Sequence, residues 1–178
     1  KALDKISYSV VFPSEAEPVI LEEGRVEAGG FLQPLNIFLT KAVTLGHVNL
    51  ILDRDGIVRR FPVSVENFRA FSYELIKKSG RDIPGEDSLG GISRIVFSAP
   101  SNSIKRISFW RLLEEDIGER FKDKIVLIGA TAPDLHDEKL TPFGRGTQMS
   151  GVEIQANIAN MLLSGYRLRP LNPGLVWL

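Results

Sequence analysis

Ile125, Val126, Leu127 and Ile128 form an unbroken apolar run between Lys124 and the small residues Gly129, Ala130, Thr131 and Ala132. Such a run predicts a central strand buried on both faces, because an edge strand with one wet side alternates apolar with polar. The small residues let another group approach the strand end. After a polar loop, 133–151, Ile154, Ile158, Met161 and Leu162 recur at helical spacing while Glu153, Asn157 and Asn160 turn another way. Strand, loop and helix in this order predict an α/β domain with a mixed sheet flanked by helices, parallel in its C-terminal part.

An antiparallel hairpin is expected upstream. The β-rich runs 47–53 and 57–63 are joined by Arg54, Asp55 and Gly56, and Asp-Gly between apolar runs is a strong hairpin signal. Asp53, Arg54, Asp55, Gly56 also resembles part of a calcium loop, but the spacing fails. With Asp53 and Asp55 as third and fifth ligands, Ile51 would be the first ligand and Pro62 the bidentate acid. Arg59 and Arg60 follow on the outgoing strand, with side chains expected on opposite faces. Whichever shares a face with Ile57, Phe61 and Val63 needs a carboxylate or a ligand, since an unpaired buried charge is costly. Asp53 or Asp55 is the internal candidate.

Elsewhere the pattern gives a strand over 6–12 ending at Pro13, and a helix carrying Leu35, Phe38, Leu39 and Ala42 up to Gly46. A second helix carries Phe68, Phe71, Leu75 and Ile76 into the stop at Lys77, Lys78, Ser79 and Gly80. A short strand is expected over 95–98, then a helix capped by Ser108 with Trp110, Leu113 and Ile117.

Composition narrows the chemistry. With 178 residues and 43% of them hydrophobic, the chain can bury a core of its own. Lys plus Arg and Asp plus Glu both total 22, so no net field attracts nucleic acid, which is not an expected partner. Cysteine is absent, which removes disulfides, thiolate catalysis and Cys-based zinc sites. His47 and His136 are the only histidines, and they fit neither an H-x-x-x-H nor an H-E-x-x-H spacing, so no metal is expected. No G-x-S-x-G, no G-x-x-x-x-G-K-[ST] and no G-x-G-x-x-G pattern occurs. Glu114, Glu115 and Asp116 read as a solvated helix face beside Arg111 and Arg120. No catalytic residue and no cofactor is expected; a small α/β hydrolase or nucleotide-binding domain is the alternative.

Two blocks of sequence carry a resemblance. Gly46, His47, Val48, Asn49 with 53–62, and then 121–132 with Asp137, Thr141, Pro142 and 151–157, resemble the two signatures of the CHASE-two family of extracytoplasmic sensor domains. The residues between, 93–113, are similar to the family's connecting strand and helix, so the likeness covers about 46–168. The resemblance implies a sensory input domain outside the cytoplasmic membrane, anchored by flanking helices and followed by an adenylate cyclase, histidine kinase or Ser/Thr kinase. The resemblance leaves the ligand undefined; an unidentified small-molecule or ionic signal and a second copy of the chain, as a homodimer, are the expected partners. Two departures stand out: the family's first strand and helix are missing ahead of Ile6, as if the N-terminus were trimmed, and Gln155 stands where the family most often has His. On this reading 1–170 is the sensor and 171–178, ending in Trp177 and Leu178, begins a membrane-proximal or membrane segment. The candidate ligand-binding cluster is Asp53, Asp55, Arg59, Thr131, Asp137, Thr141 and Asn157, with Asp55 and Arg59 also able to serve structure alone.

Overall fold

The computed structural model describes residues 9–17, 19–22, 25–39, 43–98, 100–132, 135, 137–143 and 148–168, and of 20–22 and 25 the backbone only. The first strands are β1 (Val10–Ala16), β2 (Val19–Glu22), β3 (Arg25–Ala28), β4 (Phe31–Leu32) and β5 (Val43–His47). β1 pairs parallel with β5 and antiparallel with β4, and β2 pairs with β3. The strand expected over 6–12 therefore runs on through Pro13, and 6–8 lie outside the described residues. Pro13 is tolerated because β4 reaches only Glu15 and Ala16, leaving one side of β1 without a ladder at the proline.

The helix expected from Leu35 is corrected. Only a 3-10 turn, Asn36–Phe38, forms there, and the chain re-emerges as β5, with Ala42 outside the described residues. β-branched Val43 and Thr44 suit the strand. Gly46 is not a helix stop but a close-approach glycine, for a Cβ there would lie 2.5 Å from Phe71 Cα.

The hairpin forms as expected from β6 (Ile51–Leu52) and β7 (Val58–Pro62). It is followed by β8 (Ser64–Val65), β9 (Phe68–Arg69), α1 (Phe71–Lys78), α2 (Glu86–Leu89) and β10 (Ile92–Arg94). β10 completes an antiparallel sheet of order β10-β7-β6, so the strand expected over 95–98 lies a few residues earlier. α3 (Phe109–Glu114) starts after Ser108, although the serine side chain makes no capping bond. The last elements are β11 (Glu138–Leu140), β12 (Gln148–Ser150) and α4 (Gly151–Ser164), with β11 and β12 antiparallel.

The mixed α/β class holds, with parallel and antiparallel pairing and four α-helices among the described residues. The parallel ladder, however, joins β1 to β5; among the described residues of the C-terminal half the parallel pairing is a single bridge, between Leu140 and Ile57. Residues 124–132 form no strand. Ile125 packs on the core, but Val126 is 44% and Ile128 76% exposed, so only one side of the run is covered, and among the described residues no strand pairs with it.

α4 is the spine of the core. Ile154, Ile158, Met161 and Leu162 are all buried, with Phe61, Val63, Ile76 and Met149 among their companions. Each such side chain contributes roughly 1.5–3 kcal/mol by leaving water. α1 lies against α4, β1 and β5. Gly165 ends α4 in the left-handed conformation, φ 69°, which a residue without a Cβ adopts at little cost.

Candidate functional site

The hairpin tip is built by its own charges. Asp53 N–H donates to the Ile57 carbonyl (3.0 Å), and Gly56 N–H donates to the Asp53 carbonyl (2.9 Å). Gly56 has φ 75°, the conformation this turn demands. Arg59 Nη1 donates to Asp53 Oδ2 (2.8 Å) and Asp55 Oδ1 (2.9 Å), and its Nη2 to Asp55 Oδ2 (2.8 Å). Arg60 Nε and Nη2 both donate to Asp53 Oδ1, at 2.9 and 2.6 Å.

Both arginines therefore reach Asp53, contrary to strict strand alternation. The cause is a register shift: Ile51 pairs with Arg60 and Leu52 with Val58, which leaves Arg59 as an extra residue in β7. The Arg59 and Arg60 guanidinium groups hold the Asp53 carboxyl below its ordinary range, and Arg59 does the same for Asp55. Two cations and two anions thus neutralise one another. A ligand bound here must compete with bidentate pairing already in place.

The other candidates lie along β11 and α4. The bridge between Ile57 and Leu140 sets β11 beside the hairpin, with buried Thr141 directly after it. Asp137 is placed at the start of α4: its carbonyl accepts from Gly151 N–H (2.8 Å), and its carboxylate lies where a Cβ on Gly151 would be. A negative charge is favoured at that helix end. Lys139 Nζ is 3.9 Å from Asp137 Oδ1. Thr131 is exposed. Two residues before it, Gly129 packs on Val152, so the group that approaches the small residues is the protein's own helix. Asn157 is buried and separate from the hairpin charges; its Oδ1 accepts from Ser98 N–H (3.1 Å) and Ser98 Oγ (3.2 Å), while Nδ2 donates to the Glu153 carbonyl (2.9 Å). The structure thus gathers Asp53, Asp55 and Arg59 into one cluster and spreads Thr131, Asp137, Thr141 and Asn157 beyond it.

Two groups of polar contacts on α4 join residues that, Asn157 apart, are not among the sequence candidates. Glu153, its side chain 2% exposed, accepts from Asn102 N–H (2.7 Å), Ser101 Oγ (3.2 Å) and Arg106 Nη2 (2.5 Å). With Asn157, and with Asn160 donating to Ser98 Oγ (3.3 Å), it fastens the 98–106 loop to α4. The polar stripe at 153, 157 and 160 was the available signal. On another side of α4, Ser72 Oγ donates to the Gln155 carbonyl (2.8 Å) and lies 2.7 Å from Gln155 Oε1, and Gln155 Nε2 donates to the Val48 carbonyl (3.2 Å). Gln155 is thus a structural tie between α4, α1 and the residue after β5. Among the described residues no group of three or more His, Asp or Glu is arranged to hold a metal ion; His136 lies outside them.

A family model described as the CHASE2 domain matches residues 4–178. The chain belongs to the CHASE2 family. CHASE2 domains are extracellular sensory domains of signalling receptors, so the class expected from the two sequence blocks stands, and the family is a sensory rather than a catalytic one. No curated protein and no solved structure significantly matches this CHASE2 chain. Among its described residues no helix is long and apolar enough to cross a membrane; residues 171–178, expected to begin a membrane-proximal segment, lie outside them.

Proposed function

We propose that this CHASE2 domain is the extracytoplasmic input of a membrane-anchored receptor, with a cytoplasmic adenylate cyclase, histidine kinase or Ser/Thr kinase as output, and that α4 carries the signal. The observation that supports this is the position of α4. It holds the core with one face, the 98–106 loop through Glu153 and Asn157, α1 and the end of β5 through Gln155, and residue 129 through Val152. Any rearrangement of those loops changes what α4 touches.

The stimulus is a small molecule or ion, received near Asp53, Asp55, Arg59, Thr131, Asp137, Thr141 and Asn157. It acts by binding one arrangement better than the other, because equal affinity shifts nothing. Residues 1–170 are the sensor, 171–178 lead toward the membrane, and two copies pair in the receptor. The domain itself does no chemistry.

Thermal unfolding against a panel of ions and metabolites tests this reading. A specific signal raises the melting point by mass action, and the same compound changes the output of the full-length receptor in membranes. Turnover of an ester or nucleotide by the domain alone, or a parent polypeptide that never crosses a bilayer, overturns it.

A further inference from the structure

His47 occupies the junction on which α4 depends. It ends β5, pairs in register with Ser14 of β1, and bridges to Ala70 just ahead of α1. The next residue, Val48, donates its N–H to the Ser14 carbonyl (2.9 Å) and accepts from Gln155 Nε2 of α4 (3.2 Å). His47 is only 1% exposed, and neither ring nitrogen makes a hydrogen bond of good geometry, although the backbone of Pro62 and Val63 lies beside the ring.

The elements around the ring offer it no counter-charge. Glu15 on β1 is exposed. Arg69 on β9 is paired with Glu74 of α1 and with Glu86. Lys77 and Lys78 are exposed at the far end of α1, and Glu153 of α4 is paired with Arg106. On β7, Arg59 and Arg60 are engaged by Asp53 and Asp55. Among the described residues His47 forms no ion pair. A neutral imidazole can sit here as a core side chain, whereas an imidazolium would be a buried charge with only backbone carbonyls and no carboxylate to offset it.

We propose that His47 is a proton-responsive latch: protonation drives its ring out of the core and releases the tie between β5, α1 and α4. The latch adds the proton as a stimulus to the sensory reading and rests on that reading only for its effect on output.

The direction follows from linkage. Burial lowers the His47 pKa from 6.5 to about 4, the backbone of Val63 and Pro62 offsetting only part of the effect. A base whose folded pKa is depressed leaves stability intact above the unfolded value. Stability then falls as pH drops from 6.5 toward 4, with the opening constant rising up to about tenfold per pH unit.

The test is amide exchange and imidazole NMR on the chain between pH 7 and 4.5, for the wild type and for His47→Leu, which fills the site without a titrating group. The wild type should show a His47 ring that resists protonation near pH 6.5, distinguished from the other histidine by a His136→Asn variant. Its Val48 amide, corrected for intrinsic rates, should open with falling pH faster than the Gly56 amide; in His47→Leu this extra opening should vanish. A ring that titrates near 6.5 with the Val48 amide still protected, or an identical pH slope in His47→Leu, overturns the latch. Should His47→Leu fail to fold, the wild-type ring and the Val48 amide decide alone. A receptor output indifferent to pH, with exchange as expected, leaves the latch standing and counts against α4 as the transmitter.

Discussion

Gly129 lies so close to Val152 that a Cβ on the glycine would fall 2.5 Å from the Cβ of the valine. Backbone and helix meet there with no room for a side chain, so the end of the 124–128 run and the first turn of α4 are packed as one body.

Gly129→Ala tests that contact. The added methyl must displace Val152 or the backbone, and overpacking of this kind costs typically about 1–3 kcal/mol. Urea unfolding should show a lower midpoint with an unchanged slope. Adding Val152→Ala to the same chain should recover part of the loss, which a purely conformational effect of replacing glycine would not allow.

Glu153→Ala should release the 98–106 loop. It leaves the Asn102 N–H and the Arg106 guanidinium without their acceptor, but exposed Arg106 can turn to water, so the expected loss is about 1–3 kcal/mol. Amide exchange at Asn102 should rise while Gly56 stays protected. Glu153→Gln keeps an acceptor oxygen and should lose less.

At the hairpin, Arg59→Ala removes three hydrogen bonds to Asp53 and Asp55. Stability should fall by a few degrees of melting temperature, with more effect on unfolding than on signalling. The pH dependence has a definite sign. Both carboxyls are held below their ordinary range, so the stability they confer is complete above that range and disappears as pH falls through their folded values. Arg59→Ala should flatten this acid limb. Normal unfolding with lost signalling would instead make Arg59 a contact for the signal.

What could be read in the sequence was local. Asp55 and Gly56 announced the turn, the acidic pair announced the partners of Arg59, and the spacing of Ile154, Ile158, Met161 and Leu162 gave the buried face of α4. The pairing of β1 with β5 joins residues about thirty positions apart and leaves no periodic mark, so Leu35 and Phe38 suggested a helix that does not form. The run at Ile125 showed that the chain is apolar there but not whether a neighbouring strand exists. Glu153 was visible as a polar position, while its partners, Asn102 and Arg106, come from a loop whose backbone donors have no sequence signature.

The most direct measurement is the output of the full-length receptor in membranes, compared between wild type and Glu153→Gln, with the fold of the variant checked by its melting curve. If α4 carries the signal, loosening the 98–106 loop from it shifts resting output severalfold while the domain stays folded. An output equal to wild type, in a variant whose Asn102 amide exchanges faster, would contradict the account.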